Sequence, residues 1–126
     1  MGRFWLGVGL LVLFLVLGLW VSTAMGSTHQ TIANTLEAAA DAALRGNPEA
    51  AFDLAKQAQD MWQSRRHAVA TIADHAPMDE IDGLFSQLKV YGQFAREAEL
   101  AAHCARIAKL ICAIGDAHAL NWWNLL

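Results

Sequence analysis

The sequence predicts an all-α protein. It reads as one N-terminal transmembrane helix followed by a small domain of about four helices in two antiparallel helical hairpins, arranged as a bundle or a TPR-like stack. Three observations predict this. Phe4–Val21 is a run of eighteen residues with no charged or strongly polar side chain. From Ile32 onward, apolar residues return at three- and four-residue steps, the spacing of a helix face. Between these periodic stretches stand Arg45-Gly46-Asn47-Pro48, Pro77 and Gly92, residues of the kind that stop and restart helices.

As a helix, Phe4–Val21 spans about 27 Å, close to the hydrocarbon thickness of a bilayer. Thirteen of its residues are Leu, Val or Phe. At roughly −0.3 to −0.6 kcal/mol each, they favour insertion by about 4–8 kcal/mol before the glycines take some back. Trp5 and Trp20 stand near its two ends, where indole rings favour the interface. A cleaved signal peptide is the rival, with small residues at Ser22-Thr23-Ala24 and Ala24-Met25-Gly26. The run is longer than a usual signal core, so the reading is an uncleaved anchor. Arg3 precedes the run and no Lys or Arg follows until Arg45. The positive-inside rule then puts the N-terminus in the cytoplasm and the rest outside. The expected division is anchor and connector at 1–26 and an extracytoplasmic domain at 27–126.

Ser22–Thr31 is small and polar, either a short connector or a continuation of the same helix. Ile32, Leu36, Ala39, Ala40, Ala43 and Leu44 then mark an amphipathic helix. It should stop at Arg45-Gly46, where glycine can take the left-handed position. Asn47 as N-cap and Pro48 at the first helical position restart the chain at once, which makes a hairpin. The second helix turns Ala51, Leu54, Ala55, Ala58, Met61, Trp62, Val69 and Ile72 inward, and Lys56, Gln57, Asp60, Gln63 and Arg66 outward. Its end is expected near Asp74-His75-Ala76, because Pro77 biases its predecessor away from helix. Asp79, Glu80 and Asp82 would then lie in the first turn of a third helix, with Ile81, Leu84, Phe85, Leu88 and Tyr91 inward. Gly92 marks a break. A fourth helix, about 94–117, carries Leu100, Ala101, Ala105, Ala108, Ile111 and Cys112 inward. The offsets of Gly46, Leu54 and Ala55 recur at Gly92, Leu100 and Ala101, which fits two stacked hairpins.

Of nine Lys and Arg only Arg3 precedes the apolar run, leaving eight against all twelve Asp and Glu. The domain is mildly acidic and has no basic stripe, which argues against nucleic acid and anionic headgroups as partners. Cys104 and Cys112 sit eight residues apart in one helical pattern, about 12 Å, beyond disulfide reach. His29, His67, His75, His103 and His118 fall in no metal- or haem-binding motif. His75 with Asp79 or Glu80 offers a metal bracket, and helix capping accounts for it equally. Helix-end electrostatics also account for the acids at 79–82, and ion pairing for Arg65-Arg66. No nucleophile, base and orienting group stand together, so no catalytic residue, metal site or cofactor is assigned and no enzyme is expected.

A single N-terminal span, a hairpin with Trp62 late in its second helix, Asp74-His75 before Asp79-Glu80-Ile81-Asp82, and a terminal Asn124-Leu125-Leu126 together carry a resemblance. The chain resembles an uncharacterised bacterial family, a domain of unknown function, of short single-pass membrane proteins with an all-helical extracytoplasmic domain. The resemblance implies the fold and the location, and no activity.

Asn121-Trp122-Trp123-Asn124-Leu125-Leu126 places four large apolar residues among the last five. Such a tail closes the bundle as a lid, enters the membrane interface or docks on a partner. Trp122, Trp123, Leu125 and Leu126 are therefore the candidate partner-binding residues. The functional expectation is a membrane-anchored module, held in the bilayer through Phe4–Val21, that binds another membrane or envelope protein. The alternative is a bundle that binds a small ligand, metal or haem between its helices.

Overall fold

The computed structural model describes residues 2–69, 75–93 and 96–123. They form four helices: α1 (Gly2–Leu44), α2 (Pro48–Val69), α3 (His75–Gln93) and α4 (Glu97–Trp123). Consecutive helices run antiparallel. Arg66 of α2 meets Asp79 and Asp82 of α3, and Arg106 and His103 of α4 meet Glu80 and Gln87 of α3. The most extensive packing is α1 on α4, then α1 on α2; α3 leans on α4 and touches α2 little. The result is a helical bundle in the ring order α1–α2–α3–α4.

The apolar run and the first domain helix are one element, 43 residues long, about 64 Å at 1.5 Å per residue. The polar connector does not interrupt it because its hydroxyls bond back into the helix. Thr23 Oγ1 donates to the carbonyls of Leu19 (3.1 Å) and Trp20 (3.0 Å). Ser27 and Thr28 both donate to Ala24 O, and Thr31 to Ser27 O at 2.8 Å. Such side chains satisfy themselves without breaking the backbone ladder.

The end of α1 is built as its residues dictate. Gly46 has φ 75°. Its N–H donates to Ala43 O (3.0 Å) and that of Asn47 to Ala42 O (3.0 Å), the paired bonds of a Schellman motif. Asn47 Oδ1 then accepts the Ala50 N–H at 3.2 Å, an N-cap followed directly by Pro48. Asn47→Ala should lower stability by about 1 kcal/mol in a denaturant titration of the full chain.

The core gathers Ile32, Leu36, Ala39, Ala43, Ala51, Ala55, Ala58, Trp62, Ile81, Phe85, Leu88, Leu100, Cys104, Ile107 and Ile111. Alanines on both sides of the α1–α2 seam allow the two axes to approach closely. Expected inward residues are largely found there, with two corrections. Leu44 is 69% exposed, because it occupies the last helical position, past the end of α2. Ala105 is exposed; the rest of the expected stripe of α4 lies on the core, and Cys104, Ile107 and Ile114 join it there. Ile72 and the side chain of Val69 lie outside the described residues.

Two helix boundaries also differ from expectation. α3 begins at His75, so His75 stands at the N-terminus of α3; the expected end of α2 near Asp74 lies outside the described residues. Pro77 sits in the first turn of α3, where the missing N–H has no intrahelical acceptor to lose. Asp79, Glu80 and Asp82 consequently fall beyond the first turn. Near Gly92, α3 continues to Gln93 and a separate α4 starts at Glu97, so two helices follow Pro77. Glu97 and Glu99 occupy the first turn of α4, where negative charge complements the helix end.

Candidate functional site

Because α3 leans toward α4, a groove opens between α2 and α3. Phe52, Ala55, Phe85 and Leu88 form its floor, and Lys56, Gln59, Asp60, Gln63 and Lys89 its walls, enclosing about 560 Å³. On α2, Phe52, Lys56, Gln59 and Gln63 follow helical spacing and make one stripe. Among the described residues neither Lys56 nor Lys89 is held in an ion pair. Both ammonium groups therefore stand ready over an apolar floor.

The groove continues toward the Val69 end of α2 past Gln59 and Gln63 to Arg66, His67, Asp82 and Ser86. There a polar network closes it. Trp62 is fully buried, and its indole Nε1–H donates to Asp82 Oδ1 at 2.9 Å. The other oxygen of Asp82 accepts from Arg66 Nε at 3.0 Å. Arg66 Nη2 also reaches Asp79 Oδ1 at 3.4 Å. Asp82 thus satisfies a buried donor with one oxygen and orients a guanidinium with the other. On the opposite side of α3, Glu80 accepts from Arg106 of α4 at 3.0 Å. The three acids of this stretch are tie points between helices.

The described histidines are dispersed, and the side chain of His118 lies outside the described residues. His29 is buried on α1, His67 is exposed on α2, and His75 is exposed at the start of α3. His103 Nε2 lies 3.0 Å from Gln87 Oε1, and its ring meets Tyr91 edge to face at 4.7 Å. Among the described residues no three His, Cys, Asp or Glu side chains are grouped to hold an ion. Cys104 and Cys112 are free thiols. Burial pushes the Cys104 thiol up to about 11. Burial, and then the charges of Asp116 and Glu37, raise Cys112. Both are therefore protonated at neutral pH and poor nucleophiles.

The tail residues named from the sequence are only partly placed. Leu125 and Leu126 lie outside the described residues, as do the side chains of Trp122 and Trp123, although both tryptophans belong to α4. The groove was not found from the sequence. Its one signal was Phe52, a large apolar residue off the inward stripe of α2.

Fold and groove together define a helical bundle carrying one apolar N-terminal helix. Among the described residues α1 alone is long and apolar enough to cross a membrane, with a mean hydropathy of 2.6 in its most apolar window. The family model described as a domain of unknown function (DUF4363) matches residues 19–125, and the chain belongs to that family. The match covers α2, α3, α4 and α1 from Leu19 onward. No curated protein and no solved structure matches the chain.

Proposed function

We propose that this chain is a membrane-anchored, extracytoplasmic helical module that holds another membrane or envelope protein in its α2–α3 groove. The groove itself carries the reading: an apolar floor of Phe52, Phe85 and Leu88 flanked by two lysines that pair with no acid among the described residues. A segment that places two or three apolar side chains on that floor and an acid beside Lys56 or Lys89 matches it, in the manner of an amphipathic helix in a groove. Anchoring is supported by exposure. The described side chains from Phe4 to Val21 lie open on α1 rather than packed on the bundle, which suits lipid and not water. The outward placing of the domain rests on Arg3 before the run and the absence of Lys and Arg between it and Arg45.

The groove volume also falls in the range of small-molecule sites, and this sustains the second reading, a small ligand between α2 and α3. One experiment separates them. A photocrosslinking residue at Gln59, activated in native membranes, should give a discrete protein adduct that the same residue at exposed Ala38 does not. Lys56→Glu with Lys89→Glu should abolish the adduct while leaving helicity unchanged. Equal adducts from both positions, or an adduct indifferent to charge reversal, would count against a protein in the groove. A small molecule co-purifying with the full chain and lost in the double variant would replace it with the second reading.

A further inference from the structure

The end of α4 lies against a known level of α1. A Cβ built on Gly115 would stand 3.3 Å from His29 Cβ, and the charge of Glu37 acts on Cys112. Rising residue numbers on α4 therefore meet falling numbers on α1. α4 stays helical to Trp123, which carries positions 122 and 123 about 10–12 Å past Gly115. The same distance back along α1 from His29 reaches Ser22 and Val21, where the apolar run ends and Trp20 stands 69% exposed.

Two further observations converge there. Charge disappears from both helices over the same stretch: α1 has no Asp, Glu, Lys or Arg between Arg3 and Glu37, and none follows Asp116 at the other end of the chain. The core has also ended. Among the described side chains of α1, Val21, Thr23, Ala24, Gly26 and Ser27 are exposed, and burial begins at His29. At this level the described side chains of α1 form no interior for a lid to close.

We infer that the C-terminal end of α4, where the sequence carries Trp122 and Trp123, is a second membrane contact at the level where Trp20 stands on α1. Indole rings partition there because an apolar body and a polar N–H suit the boundary. The surface recognised is the headgroup–acyl boundary of the bilayer that holds α1, reached without cationic side chains and so without need for anionic lipid. The domain is then tied through both helices of its longest pair at their membrane-side end, which limits its tilt on the anchor. This inference rests on the proposed anchoring of Phe4–Val21.

The test uses the full chain in nanodiscs of zwitterionic lipid, with Cys104→Ala and Cys112→Ala. Spin labels are placed one at a time through Leu13→Cys, Trp20→Cys, Leu44→Cys, Trp122→Cys and Trp123→Cys. Each is read by collision with oxygen, which concentrates in lipid, and with a water-soluble nickel chelate. At position 122 or 123 the oxygen-to-nickel ratio should exceed that at position 44 several-fold and match that at position 20. A ratio at both positions equal to that at 44 would place the tail in water and overturn the inference. Labels at both positions immobile and shielded from either collider would make the tail a packed lid or partner seat, with the same consequence. Nickel access at position 13 would overturn the anchor itself, an outcome distinguishable from failure at the tail alone.

Discussion

Trp62→Ala is expected to destabilise the domain by about 3–5 kcal/mol, the usual cost of removing a large buried aromatic. For a small domain that is a large share of its total stability. Trp62 is the largest fully buried side chain among the described residues, and it acts in two ways. Its ring fills the space where α2 approaches α3, and its N–H occupies Asp82 Oδ1. Two milder variants separate these roles. Trp62→Phe keeps most of the ring and leaves Asp82 to Arg66, at a cost of about 1 kcal/mol for one hydrogen bond. Asp82→Ala keeps the ring but strands a buried indole donor, about 1–3 kcal/mol; the partly exposed Arg66 pair adds less than about 1 kcal/mol. Denaturant titration of the full chain, followed by helicity, measures all three. A Trp62→Ala cost below that of Trp62→Phe would show that the ring is not the core of the α2–α3 contact.

The second large effect concerns the backbone of α1. Gly26→Pro removes an N–H from the ladder and sets a ring against the preceding turn, a penalty of about 3 kcal/mol or more in a helix interior. A Cβ at Gly26 meets nothing within 4 Å, so the substitution tests the backbone and not packing. Gly26→Ala is the matched control and should favour the helix by about 0.5–1 kcal/mol. The proline is expected to relieve itself by kinking α1 more than about 20°, while the bundle beyond His29 keeps its melting temperature. Distances between spin labels at Leu13 and Leu44 read the kink directly. A proline variant with the distance distribution of the alanine variant would mean that α1 is not continuous through this point.

These two regions differ in how far the sequence discloses them. The turn from Leu44 to Pro48 was legible in full, because a Schellman glycine, an N-cap asparagine and a following proline act within a few residues of chain. The continuity of α1 was half legible: no Gly-Pro pair interrupts 22–31, but the run of hydroxyls reads as loop until their bonds to preceding carbonyls are seen. Alanine hid the phase of α4. With Ala at 101, 102, 105, 108 and 113, hydropathy contrast is low: Leu100, Ala101, Ala108 and Ile111 were legible as inward, but Ala105 could not be told from them, and Cys104, Ile107 and Ile114 were not picked out. The groove and the Trp62–Asp82–Arg66 network were not legible at all. They depend on the rotation and splay of α2 against α3, and residues twenty positions apart say nothing of either until both helices are packed on α1 and α4.

The unbroken helix from Gly2 to Leu44 also fixes an azimuth. Each residue advances the helix by about 100°, so every exposed side chain of the apolar run holds a set compass bearing relative to the α2–α3 groove. If the run is the proposed anchor, a neighbouring span that pairs with one of its flanks meets the groove at one bearing only. One residue inserted at Thr23 would swing that bearing by about a quarter turn, whereas seven would restore it to within about 20° and lift the domain by about 10 Å. Bearing and height are thus separately adjustable by chain length, with the groove left untouched.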